Sequence, residues 1–133
     1  MGLNDPRPRS KAPASQPRRR RAQPEAQLQH AVVQHLEWRA PKDCVYFAVP
    51  NGGWRSRIEA AILKGLGVVP GIPDLIIIYR GRVHALELKS ERGRLSPAQA
   101  ECHQRLREAG AIVGVAAGID QALAWLAQHG LLR

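Results

Sequence analysis

Gly71-Ile72-Pro73-Asp74-Leu75-Ile76-Ile77-Ile78-Tyr79-Arg80-Gly81-Arg82-Val83-His84-Ala85-Leu86-Glu87-Leu88-Lys89 is the stretch that decides the fold. Leu75 to Tyr79 is short, apolar and β-branched, which reads as a buried strand. Gly81 marks a turn, and Val83 to Leu88 reads as the returning strand. Successive strand side chains point to opposite faces, so Glu87 and Lys89 share one face and Leu86 and Leu88 take the other. Hairpin pairing then brings Asp74, at the start of one strand, towards Glu87, near the end of its partner. Two carboxylates held together in a sheet repel and are costly to desolvate unless a cation joins them, and oxygen ligands suit Mg²⁺ or Mn²⁺. The ammonium of Lys89 can reach an anion or a water held there.

Upstream of the hairpin, Pro24 opens a helix to about Arg39, with Leu28, Ala31, Val32, His35, Leu36 and Trp38 as its buried stripe, and Pro41 stops it. Glu25 falls in the first turn, where a carboxylate complements the helix dipole. Val45 to Val49 reads as a strand and Pro50-Asn51-Gly52-Gly53 as a turn. Ser56-Arg57-Ile58-Glu59 is a capping-box pattern for a helix to Leu66, with Gly67 as its stop. Cap and turn account for Ser56 and Glu59, whereas Asn51, Arg55 and Arg57 make a basic loop at a helix start, suited to phosphate.

Downstream, the loop Ser90 to Leu95 carries Glu91, Arg92 and Arg94 around Gly93. Solvated surface is one reading; phosphate contacts by Arg92 and Arg94 are the other. Ser96-Pro97-Ala98-Gln99 is a second capping box, for a helix ending near Ala109 with Gly110 at its cap. Ala111 to Ala116 reads as a strand and Asp120 to Gln128 as a last helix. The order is α-β-α-β-β-α-β-α, a mixed α/β sheet flanked by helices. His30, His35, His84, His103 and His129 are scattered singly and read as structural or surface residues, His84 on the strand face opposite Glu87. Trp125, Leu126, Leu131 and Leu132 offer more apolar surface than a final helix needs, for the core or for a contact between subunits.

A length of 133 residues suits one domain, and the net charge of +9 implies a polyanionic partner, with nucleic acid foremost. The charge is concentrated: residues 1–23 hold Arg7, Arg9, Lys11, Arg18, Arg19, Arg20 and Arg21 against Asp5 alone. Pro6, Pro8, Pro13 and Pro17 leave that segment without an apolar face, so it reads as a disordered basic arm, with solubility as the competing role. Residues 24–133 make the folded domain. No apolar run approaches the ~18 residues of a membrane span. Cys44 and Cys102 have neither zinc-site nor disulfide-framework spacing, which fits a reducing, cytoplasmic setting.

Pro-Asp, a spacer and Glu-x-Lys resemble the active-site signature of the PD-(D/E)XK nuclease superfamily. The flanking Pro24-Glu25-Ala26-Gln27-Leu28-Gln29, Asn51-Gly52-Gly53 and Ser90-Glu91-Arg92-Gly93-Arg94-Leu95-Ser96-Pro97-Ala98-Gln99 resemble one branch of it, the VRR-NUC domain, in a stand-alone, phage-type version. The resemblance spans residues 24 to 118. It implies a restriction-endonuclease-like fold and a metal-dependent DNA endonuclease, acting on branched DNA such as four-way junctions.

It further implies Asp74 and Glu87 as ligands of Mg²⁺ or Mn²⁺, the Leu88 carbonyl as a third, and Glu25 as a ligand directly or through water. Lys89 would orient the attacking water, and Gln99 would position Lys89 or that water. Capping competes for Gln99, and one rotamer is not expected to meet both roles fully. Arg18, Arg19, Arg20 and Arg21 with Asn51, Arg55, Arg57, Arg92 and Arg94 would contact DNA. Symmetric cutting of a junction needs two sites, hence a homodimer. A non-catalytic nucleic-acid-binding protein on a nuclease fold and a sequence-specific restriction-type nuclease are the alternatives.

Overall fold

Arg80 and Gly81, at φ 50° and 73°, close a two-residue loop between Tyr79 and Arg82. Positive φ at both central residues matches the twist of the flanking strands, and Gly81 adopts it without steric cost. The Arg80 guanidinium sits 5.0 Å from the centre of the Tyr79 ring, a cation–π contact that helps hold the tighter of the two positions. This tight turn fixes the register of the hairpin, Leu75 opposite Leu86 and Ile77 opposite His84.

The computed structural model describes residues 23–50 and 56–133. Its elements are α1 (Gln23–Arg39), β1 (Val45–Ala48), α2 (Arg57–Gly65), β2 (Leu75–Tyr79), β3 (Arg82–Lys89), α3 (Pro97–Glu108), β4 (Ile112–Ala117) and α4 (Ile119–Gln128). They form the α/β arrangement read from the sequence. The sheet order is β1-β2-β3-β4, antiparallel up to β3, with β4 parallel to β3. A parallel neighbour requires a crossover, and α3 supplies it. Residues 1–22 of the expected basic arm, and Asn51 and Arg55, lie outside the described residues.

One face of the sheet builds the core. Leu75, Ile77, Leu86, Leu88 and Ala116 meet Leu28, Val32 and Leu36 of α1, Ala122 and Leu126 of α4, and Leu131 beyond it. Each buried Leu, Ile or Val side chain among them contributes roughly 1.5–3 kcal/mol, and the two alanines less. The α1 stripe runs every four residues, 28, 32 and 36. Trp38, two residues past Leu36, is turned by about 200° to the opposite side of the helix and is 73% exposed, so its expected burial is corrected. The C-terminal apolar residues are likewise drawn inwards: Leu126 and Leu131 are fully buried, so they are not a surface for another subunit. The chain end is tied down by Arg133 N–H donating to the Arg39 carbonyl at 2.7 Å, and by Arg39 Nε donating back to Arg133 O at 2.9 Å.

The other face carries Glu87 and Lys89 and is covered by α3 through Cys102 and His103. From His84 to Lys89 every residue of β3 is buried, as expected of a central strand with helices on both sides. By contrast α2 buries none of its residues, and Ile58 and Ile62 face outwards although the Ser56 cap forms, its Oγ accepting from Glu59 N–H at 3.1 Å.

Gly114 of β4 lies directly under the indole of Trp125, where an added Cβ would overlap the ring. Gly114→Ala is expected to lower the unfolding free energy by about 1–3 kcal/mol through overpacking. Urea denaturation with an unchanged m-value checks this; an unchanged midpoint would show that the Trp125 ring can move aside freely.

Candidate active site

Asp74 enters the site because the buried Pro73 ends the preceding loop just before β2 begins. Its backbone carbonyl accepts from Val49 N–H at 2.9 Å, and its Oδ2 accepts from Leu88 N–H at 2.7 Å. The aspartate therefore bridges β1 and β3, and its carboxylate is locked onto the strand that carries Glu87. With Leu75 paired to Leu86, Asp74 falls opposite Glu87, as strand alternation predicts.

Glu87 is only 2% exposed. Its Oε1 accepts from Gln99 Nε2 at 2.9 Å and lies 3.5 Å from Lys89 Nζ. Burial pushes its pKa from 4.5 up to about 7, and the negative charge of Asp74 pushes in the same direction, while Lys89 partly opposes both. Lys89, two residues along the same face, is itself buried. The expected grouping of Asp74, Glu87, Lys89 and Gln99 is present.

Gln99 fills both of its competing roles. Its Oε1 accepts from Ser96 N–H at 2.9 Å, completing the capping box, while its Nε2 donates to Glu87. The expectation that one rotamer cannot serve both is corrected. An amide carries an acceptor and a donor on different atoms, and the cap uses only the first. The start of α3 is thus fastened to β3 through a single side chain.

Glu25 stands at the same strand end without joining the carboxylate pair. Its Oε1 accepts from Ser90 N–H at 3.3 Å, directly after Lys89, and it lies beside Gly93. Among the described residues no group of three or more His, Cys, Asp or Glu is close enough to hold a metal ion by side chains alone. Arg57, Arg92 and Arg94 are exposed, while Asn51, Arg55 and Arg18 to Arg21 lie outside the described residues. A cleft of about 640 Å³ between the chain after α2 and α3 is lined by Leu63, Lys64, Val68, Val69, Gln99 and Arg105. Gln99 joins this cleft to the carboxylates.

His84 lies on the opposite face, as expected, with Nδ1 3.2 Å from the Ile77 carbonyl. His103, read as a structural or surface residue, is in the interior and comes close to Glu87. It is fully buried, and its Nε2 is 3.6 Å from Glu87 Oε2. Burial, and then the cations Arg107 and Lys89, lower its pKa, so the imidazole is neutral at neutral pH and the contact is not a charge pair. The available signal was its spacing, four residues after Gln99 and so on the same helix face.

A profile of the VRR-NUC domain matches residues 15–120 of the chain. The chain belongs to the VRR-NUC domain family. A solved structure described as a VRR-NUC domain protein is 31% identical, with a TM-score of 0.66, over 78% of this chain and 85% of that one. A second, described as a VRR-NUC domain, is 24% identical with a TM-score of 0.53, over 79% and 95% of the two chains, and supports the fold. No curated protein matches the chain. The mixed sheet flanked by helices is the restriction-endonuclease-like VRR-NUC fold, and membership of the family implies nuclease, hence hydrolase, activity. Among the described residues no helix is long and apolar enough to cross a membrane.

The raised Glu87 pKa has a definite sign. The folded state holds a proton that the unfolded state releases near pH 4.5, so with divalent cations chelated, stability falls as pH rises from about 4.5 to about 7. The loss is on the order of 3 kcal/mol. Glu87→Gln should flatten this dependence in chemical denaturation at several pH values, and an unchanged slope would rule out Glu87 as its source.

Proposed function

We propose that this VRR-NUC domain is a divalent-metal-dependent DNA endonuclease, acting as a homodimer on branched DNA such as four-way junctions. The observation that carries the chemistry is the pair of half-buried Asp74 and buried Glu87, opposed across a hairpin with Lys89 3.5 Å from Glu87. A carboxylate held near pKa 7 by burial and a like-charged neighbour is relieved by a cation, and its Oε2 is buried with no hydrogen-bond partner. This donor set fits Mg²⁺ or Mn²⁺, which take oxygen ligands.

Asp74 and Glu87 would hold the ion directly. The Leu88 carbonyl would be the third protein ligand; in a strand it lies on the same edge as the residue's N–H, which here meets Asp74. Glu25, bonded to the Ser90 backbone beyond the pair, would act through water. When bound, the ion supplies charge neutralisation at the phosphoryl oxygens and lowers the pKa of water. Lys89 would direct its ammonium hydrogens at the attacking water and offset the developing charge. Gln99 would keep Glu87 in place from α3, a rigid support of the kind in-line attack requires.

Arg57, Arg92 and Arg94, with Asn51, Arg55 and Arg18 to Arg21, would follow the phosphate backbone. Contacts of that kind position a duplex and do not read its bases, which favours recognition of shape. Paired cuts on a junction call for a two-fold dimer. Exposed Val45, Phe47, Ile78 and Val83, on the sheet face that carries Glu87, are apolar surface available to a second copy.

Asp74→Ala, Glu87→Ala and Lys89→Ala are each expected to abolish cleavage of a cruciform plasmid by Mg²⁺ or Mn²⁺ while DNA binding survives. Labelled duplex, flap, single-stranded and four-way substrates establish the branch preference, and sedimentation equilibrium the dimer. Binding without metal-dependent cleavage by the wild-type protein would favour a non-catalytic module. A monomer giving nicked rather than linear plasmid would leave a single-cut nuclease.

A further inference from the structure

Helix α3 offers Glu87 a second polar group. His103 follows Gln99 by four residues, so both stand on the face of α3 turned to the sheet. The Nε2 of His103 is 3.6 Å from Glu87 Oε2, the carboxylate oxygen that Gln99 does not touch. Both ring nitrogens of His103 and that oxygen are buried without a hydrogen-bond partner among the described residues. Three unsatisfied polar atoms in one place are a costly arrangement, since each buried group has given up its bonds to water without a replacement. An apolar side chain of similar volume would pack there without that cost. The separation exceeds a good hydrogen bond by a few tenths of an ångström, and the terminal torsions of Glu and His are soft enough to close it.

We propose that His103 is a positioning residue whose Nε2–H holds Glu87 Oε2 while Gln99 holds Oε1. Helix α3 then fixes both carboxylate oxygens, and with them the plane in which Glu87 presents its remaining lone pairs. Each oxygen keeps an acceptor site after one such bond, so a cation and Lys89 are still served. The arrangement rests on the metal-site reading above, and outer partners of this kind set metal affinity by about 10–100-fold.

The test is Mn²⁺ binding to the full chain by titration calorimetry, with DNA affinity in EDTA and the melting curve as controls. His103→Leu fills the space without a donor and is expected to weaken Mn²⁺ binding by about 10–100-fold, with DNA affinity unchanged. His103→Gln places an amide N–H at a similar reach and is expected to recover most of the loss. Wild-type Mn²⁺ affinity in a folded His103→Leu protein overturns the proposal and leaves the metal site standing. If the wild-type protein itself binds no Mn²⁺, both fall. Should His103→Leu fail to fold, His103→Gln is compared with the shorter His103→Asn: tighter binding by the glutamine variant supports the proposal, and equal affinities overturn it.

Discussion

Burying a carboxylate inside a sheet costs several kcal/mol unless donors or a cation meet it, and Glu87 sits almost wholly buried on the central strand β3. Much of the architecture around it follows from that constraint. Asp74 adds a second negative charge from the position just before β2, which raises the cost, and Lys89 and Gln99 reduce it. An arrangement that concentrates like charge in a dry place is poorly explained by folding stability alone. It agrees with the cation site proposed above, since perturbed carboxylates cluster where chemistry is done.

The elements divide the labour by sheet face. Helices α1 and α4 cover one face and supply the apolar core, with the C-terminal residues tied back to Arg39. Helix α3 lies on the other face, packed against β4 and reaching Glu87 of β3 through Gln99 and His103, and its first turn is fastened twice, to its own Ser96 cap and to Glu87. A capping box is usually a local device. Here it also sets where Gln99 Nε2 points, so helix start and site geometry are one structural decision. Beyond α3, the same face exposes Val45, Phe47, Ile78 and Val83, and the nearby α2 has no buried residue.

Much of this was legible in the sequence. Strand alternation, Gly81 at the turn and the apolar run of β2 determined that Asp74 faces Glu87 and that Lys89 shares the Glu87 face, because these follow from a period of two and a tight loop. Ser96, Pro97 and Gly110 marked both ends of α3, and Ser56 the start of α2, because caps satisfy backbone groups within a few residues of themselves. The order of elements followed from the same local signals, and the family from the resemblance carried by the residues around Asp74, Glu87 and Lys89.

Only the tertiary structure decided the rest. Trp38 is apolar yet exposed, because the face α1 buries is chosen by the sheet and α4, not by the residue's hydropathy. Leu126 and Leu131 belong to the core because the chain end returns to α1. Gln99 can cap its helix and bind Glu87 at once because α3 crosses the sheet at that height. His103 meets Glu87 for the same reason. Helix placement over a sheet is a non-local packing outcome, set by side chains from several distant segments together, and no periodicity within α3 encodes which strand residue will lie beneath it.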